Sequence, residues 1–508
     1  KAPAPTGQAG DPEGGSKLLD EGDSDRERER VRAQPPPPPP LPRSRQSHSD
    51  DSDGVSVSVK ERPPAPAPTS YPSYSFLRNK RTPPFHMDDP RGHYVYDLGD
   101  NFTKRYKILS HLGEGTFGKV IECWDRLNEE YVAIKVIRNV PKYRAAGMLE
   151  LAVLNTIRKQ QKNFRGGSHC VQFKEWFDYR GHICIVFSKL GLSLFDLLTK
   201  NGYRPFDLHH VQTFARQLLE TVAFLHGIGL IHTDLKPENI LLPTHRYVKV
   251  PAGKGSRRGT RVPEESDIFL IDFGSATFDD EHHSKIVSTR HYRAPEVILG
   301  LGWSFPCDIW SVGCILVELV TGEALFKTHD NLEHLAMMQR VLGEIPAKLV
   351  RQITQQQQRR RSASASSGTG GKAEGGGAGS KAGSKGKGQK KRSGNGDKGS
   401  QAGGSSSARD FFEENASGDG APRLAWPERC NVSDSVQAVE ELKDVRTLIL
   451  EKCDISVRPA VDKLVDLLKA LLLFDPKDRI SASEALEYSF FTSVETTPTT
   501  RQQQAAPR

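Results

Sequence analysis

The sequence is poor in the features that mark secreted and membrane proteins. It has seven cysteines among 508 residues, an odd number without any C-x-x-C pair, so a disulfide framework is not indicated. No stretch approaches the roughly 18 consecutive apolar residues of a membrane helix. The N-terminal segment also has no apolar core of a secretion signal. We therefore expect buried free thiols, no membrane contact, and a cytosolic or nuclear location.

Two stretches lack the apolar residues that a folded core needs. The first 90 residues contain 18 of the 33 prolines, and residues 351–409 are almost entirely Gly, Ser, Ala, Gln, Lys and Arg. Neither stretch can bury a core. We predict disordered tails over 1–92 and 494–508, a first lobe over 93–190, and a second lobe over 191–350 and 410–493 that a disordered insert at 351–409 interrupts.

The basic charge of the chain is confined to that insert. The formal net charge is +8, and residues 351–409 hold 13 Lys and Arg against 2 Asp and Glu, which leaves −3 for the rest. A nucleic-acid-binding protein would show a basic surface on a folded face or helix. We therefore expect no direct nucleic-acid binding by the folded part.

Hydrophobic periodicity divides the folded part into two unlike lobes, which predicts the α+β class. The first lobe has one predicted helix over 144–159, with an apolar face of Leu149, Val153, Leu154 and Ile157. Its alternating segments predict strands over 106–113, 119–125, 131–137, 171–178 and 182–188. Beyond residue 191 the period is helical, and we predict helices over 208–226, 310–321, 332–342, 461–473 and 482–488.

The first chemical motif is a glycine-rich turn that precedes a lysine. Gly113, Gly115 and Gly118 form G-x-G-x-x-G, a weak signal alone because a simple hairpin turn also uses glycines. The strand V-A-I-K follows and places Lys135 among apolar neighbours, where its charge needs a partner or solvent. Glu150 on the predicted helix can supply that carboxylate while Lys135 also reaches phosphate oxygens. A surface lysine is the alternative.

Further motifs follow in the second lobe. H-T-D-L-K-P-E-N puts Asp234 and Asn239 five residues apart in a loop that Pro237 keeps from being a regular helix. The Asp234 carboxylate can position a hydroxyl there, and the side-chain carbonyl oxygen of Asn239 can bind a metal ion. An ordinary capping loop with the same residues is the alternative. D-F-G then delivers Asp272 at a strand end, and A-P-E ends with Glu296.

In this order the motifs resemble the signature set of the protein kinases. The match runs from about residue 106 to 491 outside the insert. It implies a bilobal eukaryotic protein-kinase fold, with a β-rich N-lobe, a helical C-lobe, and ATP with Mg²⁺ in the cleft between them. The segments H-T-D, D-F-G-S-A-T-F, E-H-H-S, V-S-T-R-H-Y-R-A-P-E and E-H-L-A-M-M-Q-R are similar to the LAMMER, or CDC-like, dual-specificity kinases, with Gln339 where that family has glutamate.

The resemblance implies a role for each polar motif residue. Asp234 would accept the substrate proton, and Lys236 would neutralise the transferred phosphoryl group. Lys135 would hold phosphates and pair with Glu150. Asn239 and Asp272 would hold Mg²⁺. Two further positions would be structural: Asp308 would brace the catalytic loop, and Glu296 would pair with Arg479.

The resemblance also implies the nucleotide pocket. Phe187 is similar to the gatekeeper, and the backbones of Ser188 and Leu190 are similar to the hinge. The adenine would lie between Leu112, Val120, Ala133 and Leu241. The glycine loop over the phosphates would consist of Gly113, Glu114, Gly115, Thr116, Phe117, Gly118 and Lys119.

The implied partners are Arg/Ser-rich splicing factors, on which LAMMER kinases act. We therefore expect regulation of pre-mRNA splicing, a nuclear protein, a monomer, and modification of Ser, Thr and the chain's own Tyr. The acidic run 279–281 could attract an arginine-rich peptide, although a solvated loop without a partner fits it as well. Basic runs at 359–361 and 390–392 fit nuclear import signals. The alternatives are a Pro-directed or tyrosine-regulated dual-specificity kinase and, in another class, a pseudokinase scaffold.

Two departures from commoner kinases concern the second lobe. Thr233 stands where many kinases have an arginine that captures an activation-loop phosphate. We therefore predict activity that does not require a phosphate on Ser288 or Thr289. The basic stretch 245–261 is similar to the extra hairpin of the LAMMER kinases, and no function follows for it from the sequence.

Overall fold

The computed structural model describes residues 86–492 except 163, 165–167, 251–259, 354, 356–410, 414–421, 431 and 454. The predicted tail up to residue 85, the tail from 493 onward, and the basic runs at 359–361 and 390–392 lie outside the described residues. So does nearly all of the predicted insert.

A five-stranded antiparallel sheet with the order β1-β2-β3-β5-β4 forms the first lobe. Burial alternates along the third strand, where Val132, Ile134 and Val136 face the core and Lys135 lies on the opposite face. The predicted strands are confirmed to within two residues at each end. They are β1 Tyr106–Glu114, β2 Gly118–Asp125, β3 Glu130–Ile137, β4 Phe173–Tyr179 and β5 His182–Ser188.

The helix of the first lobe, α1, runs over Pro141–Gln161 and begins at a proline, whose fixed φ suits the first helical turn. Its buried face includes Glu150, Leu151 and Leu154. The prediction for Leu149 was wrong, because that side chain is 68% exposed. Val153, Leu154 and Ile157 are buried as predicted, and Glu150 takes the inward position that the apolar pattern assigned to its neighbour Leu149.

The second lobe is helical, and its centre is a helix that is buried over nearly its whole length, Pro306–Thr321. The predicted helix over 482–488 is shorter than expected, because its regular turn ends at Ala485. None of the described helices is long and apolar enough to cross a membrane. The helices are α2 Leu194–Lys200, α3 Leu208–Gly227, α4 Pro295–Ile298, α5 Pro306–Thr321, α6 Asn331–Leu342, α7 Ser433–Glu440, α8 Val445–Leu450, α9 Arg458–Leu471, α10 Ala482–Ala485 and α11 Ser489–Thr492.

Short strand pairs hold the loops between these helices. Two of them place the D-L-K-P-E-N loop beside D-F-G: β6 Leu230–Ile231 with β11 Thr277–Phe278, and β7 Ile240–Leu241 with β10 Phe269–Leu270. A hairpin of β8 Tyr247–Val250 and β9 Thr260–Pro263 occupies the basic stretch, as predicted. The last pair is β12 Phe412–Glu413 with β13 Arg423–Leu424.

The seven cysteines are free thiols, as expected. Five are buried and two are partly exposed, Cys430 and Cys453. Burial raises the pKa of the buried thiols, Cys170 and Cys314 among them, so they stay protonated and behave as small apolar side chains.

Candidate active site

Lys135 lies at the centre of an ion cluster between the two lobes. Its Nζ donates to Glu150 Oε1 at 2.7 Å and to Asp272 Oδ1 at 2.9 Å. Burial opposes the lysine charge, but the two carboxylates outweigh it and raise the pKa of Lys135. Three elements far apart in the sequence, β3, α1 and the D-F-G turn, are therefore joined by one ammonium group.

Asp272 reaches this cluster because the backbone turns sharply after β10. Its φ of +62° lies in the left-handed region, which costs a non-glycine residue energy, and strained residues of this kind cluster at functional sites. The next residue, Phe273, is 1% exposed and packs against the His232 ring at 5.3 Å. The buried ring anchors the turn that aims the carboxylate into the cleft.

The catalytic-loop residues Asp234 and Lys236 form a second cluster below the first. Lys236 Nζ donates to Asp234 Oδ2 at 2.7 Å, and the Asn239 amide donates to the Asp234 carbonyl at 2.9 Å. Thr289 completes the cluster, because its backbone N–H and its hydroxyl both donate to Asp234 Oδ1, at 3.1 and 2.7 Å. Sequence reasoning treated Thr289 only as a phosphorylation site, and nothing but its place in the V-S-T-R motif hinted at this contact.

Asp308, at the start of α5, fixes the backbone of the catalytic loop from below. Its side chain is buried and accepts from the N–H groups of His232 at 2.8 Å and Thr233 at 2.9 Å, and from His226 Nε2 at 3.1 Å. Burial alone would raise the pKa of Asp308, but these donors lower it. Thr233 is held at a φ of +68° between Asp308 and the carbonyl of Ser275.

Glu296 and Arg479 form a bidentate ion pair, with both side chains 0% exposed. The guanidinium also donates to the carbonyls of Leu473 and Pro306 and lies 5.2 Å from the centre of the Trp310 ring. The resemblance assigned a structural pair to these two residues, and the structure brings them together.

Asp272 and Asn239 have the donor groups that a hard divalent cation prefers. Lys135 contacts only one carboxylate oxygen of Asp272. The Asn239 amide uses its nitrogen toward Asp234, so among the described residues no donor occupies its oxygen. Carboxylate and amide oxygens are the ligands of Mg²⁺, so these two residues fit the cation that the resemblance implies.

The glycine turn leaves open space above the cleft. A Cβ at Gly113 or Gly115 would meet nothing within 4 Å, whereas at Gly118 it would lie 2.1 Å from the Val136 carbonyl oxygen. Glycine is therefore required at position 118, where the start of β2 lies directly against the backbone of its neighbour β3, and the other two glycines leave room for a ligand.

The remaining walls of the predicted pocket come from both lobes. Ala133 pairs with Phe187 across β3 and β5, and among the described residues none accepts from the N–H of Leu190. Leu112 is 41% exposed at the mouth. The side chains of Glu114 and Lys119 approach the segment before β1, so the role predicted for these two residues would fall to their backbone groups.

Together the two lobes, the lysine cluster between them and the aspartate loop below define an ATP-dependent phosphotransferase. Comparison with known proteins agrees. The protein kinase domain family matches residues 106–491. The Serine/threonine-protein kinase AFC2 of Arabidopsis thaliana is 46% identical over 415 residues, 81% of this chain and 82% of that protein. The Dual specificity protein kinase CLK2 of Mus musculus is 39% identical over 412 residues, 81% of this chain and 68% of that protein.

A solved structure supports the same assignment. The crystal structure titled "PF14_0431, kinase domain" superposes with a TM-score of 0.62 at 29% identity and covers 79% of this chain and 99% of its own. This chain therefore belongs to the protein kinase family, in its LAMMER, or CDC-like, dual-specificity branch. The predictions of fold, enzyme class and family are confirmed, and the family uses ATP with a divalent cation to modify proteins.

Activity is expected to survive complete dephosphorylation of the chain. No arginine stands at position 233 to hold a loop phosphate, and the Thr289 hydroxyl is already bound to Asp234. A phosphate on Thr289 would place a dianion against that carboxylate. Phosphatase-treated protein, checked by mass spectrometry, should keep most of its kinase activity.

The informative variant for this prediction is Ser288→Ala with Thr289 intact. The double alanine variant would also remove the contact between Thr289 and Asp234, so its loss of activity would be ambiguous. Near-complete inactivation by dephosphorylation alone would contradict the prediction.

Proposed function

We propose that this kinase phosphorylates Ser and Thr in arginine-rich protein segments, Arg/Ser-rich splicing factors among them, and so regulates pre-mRNA splicing in the nucleus. In this proposal Mg²⁺ is bound by Asp272 and Asn239, Lys135 holds ATP phosphates, and Asp234 accepts the hydroxyl proton. The chain also modifies its own tyrosines. The supporting observation is a buried carboxylate oxygen without a hydrogen-bond partner, close to the catalytic aspartate.

That carboxylate belongs to Glu238, four residues after Asp234. Its Oε2 is buried and has no hydrogen-bond partner among the described residues. Burial raises the pKa of Glu238, and the nearby charges of Asp234 and Asp196 act in the same direction. An unsatisfied buried carboxylate oxygen is costly. A substrate guanidinium would satisfy it with a charge-assisted hydrogen bond.

A second carboxylate, Glu318 of α5, adds to the same negative region. It is 4% exposed and accepts from the Tyr292 hydroxyl at 2.7 Å. Burial raises the pKa of Glu318 to about 7, and the charge of Glu238 contributes. Because the charge of Glu238 disfavours ionisation of Glu318, an arginine that approaches this region would favour the charged form of both carboxylates.

Glu238→Gln is expected to weaken the binding of arginine-containing substrates. A charge-assisted hydrogen bond contributes about 1.5–3 kcal/mol, so KM for an Arg/Ser peptide should rise by roughly tenfold or more, with kcat changed less. A peptide with its arginines replaced by alanine should show no difference between the parent and the variant.

The matched control is Glu265→Gln, an exposed glutamate of the same lobe. This variant should leave KM unchanged for the Arg/Ser peptide and for the peptide in which alanine replaces the arginines. An unaltered KM of Glu238→Gln for the Arg/Ser peptide would exclude this recognition mode.

The affinity for arginine peptides should depend on pH near neutrality. Only ionised Glu318 attracts a guanidinium, and with a pKa of about 7 it is mostly protonated at pH 6 and mostly ionised at pH 8. KM for an Arg/Ser peptide should therefore rise as the pH falls from 8 to 6.

Glu318→Gln provides the control for this pH dependence. Glutamine can still accept from the Tyr292 hydroxyl, but it carries no charge in this range. The variant should show a high KM at both pH values. A pH dependence identical to that of the parent would assign it to another group.

A further inference from the structure

We propose that Arg138 is a positioning residue that anchors the glycine-rich loop, residues 113–118, to residues 88–96, which we call the N-terminal strap. The strap precedes the segment 106–491 that the protein kinase domain family matches. The inference depends on the kinase activity of the chain and is independent of which protein it phosphorylates.

The strap is packed firmly on the sheet of the first lobe. Tyr94 is 2% exposed and lies against the rings of Phe102 at 5.1 Å and Tyr179 at 5.8 Å. Asp88 Oδ1 lies 3.0 Å from Nε2 of His182, a completely buried side chain. Buried aromatic area of this kind is a strong source of stability, so the strap offers a fixed support.

Arg138, just after β3, joins this support to the glycine loop. Its Nε and Nη2 donate to the Arg91 carbonyl of the strap, the former at 2.8 Å. Its Nη1 donates to the Thr116 carbonyl at 3.2 Å, and its backbone N–H donates to the Phe117 carbonyl at 2.9 Å. One side chain therefore spans from the strap to the tip of the loop.

The guanidinium makes no ion pair with any described carboxylate. Its contacts are backbone carbonyls and the Tyr143 ring of α1, whose centre is 4.4 Å away. The planar fork of arginine can donate to two carbonyls and stack on a ring at once, whereas lysine is a point donor. The arrangement therefore favours arginine for its shape as well as its charge.

Both strands of the loop also contact the strap. The Tyr96 hydroxyl lies 2.8 Å from His111 Nδ1 on β1, and Lys119 Nζ on β2 donates to the Tyr94 carbonyl at 3.3 Å. His93 Nε2 lies 3.8 Å from Glu114 Oε1. The side chains of Glu114 and Lys119 thus serve to fix the loop, which leaves its backbone N–H groups to face the nucleotide.

The strap reaches the start of α1 as well. The Asn139 N–H donates to the Gly92 carbonyl at 2.8 Å, and a Cβ at Gly92 would lie 2.8 Å from Val140 Cγ2. Val140 is the N-cap residue of α1, the helix that carries Glu150. The same segment therefore contacts the two elements that must be in place around the ATP phosphates.

Arg138→Gln is expected to raise KM for ATP by about tenfold. The loop would lose the side-chain contact at Thr116 and keep only the backbone contact at Phe117, so the backbone donors for the phosphates would become more mobile. KM for the peptide substrate should stay within about twofold, because the loop lies on the nucleotide side. Arg138→Lys should fall between the parent and Arg138→Gln.

The matched control is Arg158→Gln on α1. Arg158 also donates to a backbone carbonyl, of Lys174 at 3.2 Å, and lies 5.0 Å from the centre of the Phe173 ring, but it is remote from the glycine loop. It should leave KM for ATP unchanged. Hydrogen exchange of the 113–118 amides should speed up in Arg138→Gln and stay unchanged in Arg158→Gln.

Either of two results with the arginine variants would overturn the proposal. One is an Arg138→Gln protein whose KM for ATP and loop exchange equal those of the parent. The other is an equal rise of KM for ATP in both arginine variants, which would indicate a general loss of stability. Gly92→Ala gives a second test, because its φ of +81° and its contact with Val140 make alanine displace the strap without touching Arg138. It should raise KM for ATP as well, and an unchanged value would also contradict the proposal.

Discussion

Asp234→Asn is expected to lower kcat by about 10²–10⁴-fold, the usual contribution of a positioned general base. Asparagine cannot accept the substrate proton, and its amide would stand against the Lys236 ammonium that Asp234 now contacts at 2.7 Å. Affinity for ATP should stay within about twofold, because Lys135 and Asp272 form a separate cluster. Steady-state kinetics and nucleotide titration measure the two effects.

The control for this experiment is Asp280→Asn, an exposed aspartate of the activation segment. It should leave kcat within about twofold. If Asp234→Asn kept more than a tenth of the parent kcat, Asp234 would not be the base.

The second large effect concerns stability. Glu296→Gln removes the counter-charge of Arg479, which would remain buried with only carbonyl acceptors. Breaking one side of a buried ion pair costs about 3–5 kcal/mol, so the free energy of unfolding should fall by that amount. The midpoint of denaturant-induced unfolding, with its slope, measures the change.

An exposed pair in the same lobe gives the comparison. Glu323 contacts Lys327 at 2.8 Å and Lys452 at 3.3 Å, and all three side chains are largely exposed. Such pairs contribute less than about 1 kcal/mol, so Glu323→Gln should hardly alter stability. An equal effect of both variants would mean that the burial of Glu296 carries no special penalty.

Local patterns predicted most of the architecture. Strand alternation located the five sheet strands because each has one buried face, and the motifs named the residues that meet in the cleft. The position of Leu149 was wrong: the other predicted residues of that face are buried, but Glu150 is buried against Lys135 while the neighbouring Leu149 is exposed. The spacing of apolar residues along the sequence cannot show that a buried glutamate is needed opposite Lys135.

The contacts that the sequence left hidden are those made by backbone groups and by distant segments. Thr289 reaches Asp234 across 55 positions, and Arg138 reaches the Arg91 carbonyl across 47. Neither contact could be predicted from a sequence motif, because no motif around Thr289 or Arg138 indicates its partner. Glu238 is part of the D-L-K-P-E-N motif, but only the structure shows that one of its carboxylate oxygens is buried without a hydrogen-bond partner.

The strap extends the machinery of this kinase beyond the segment that the protein kinase family shares. Residues 88–96 support the glycine loop from outside, while Asp308 supports the catalytic loop from inside. The strap holds the glycine loop through both side-chain and backbone contacts, and Asp308 holds the catalytic loop through the backbone N–H groups of His232 and Thr233.

The functional claim proposed for this kinase is the transfer of phosphate from ATP to serines flanked by arginine. The direct measurement incubates the purified chain with radiolabelled ATP and magnesium, and compares an Arg/Ser-repeat peptide with a Pro-directed peptide that lacks arginine. We predict clearly higher kcat/KM for the Arg/Ser peptide, and no transfer by Asp234→Asn. Preference for the Pro-directed peptide, or equal labelling of both, would contradict the claim.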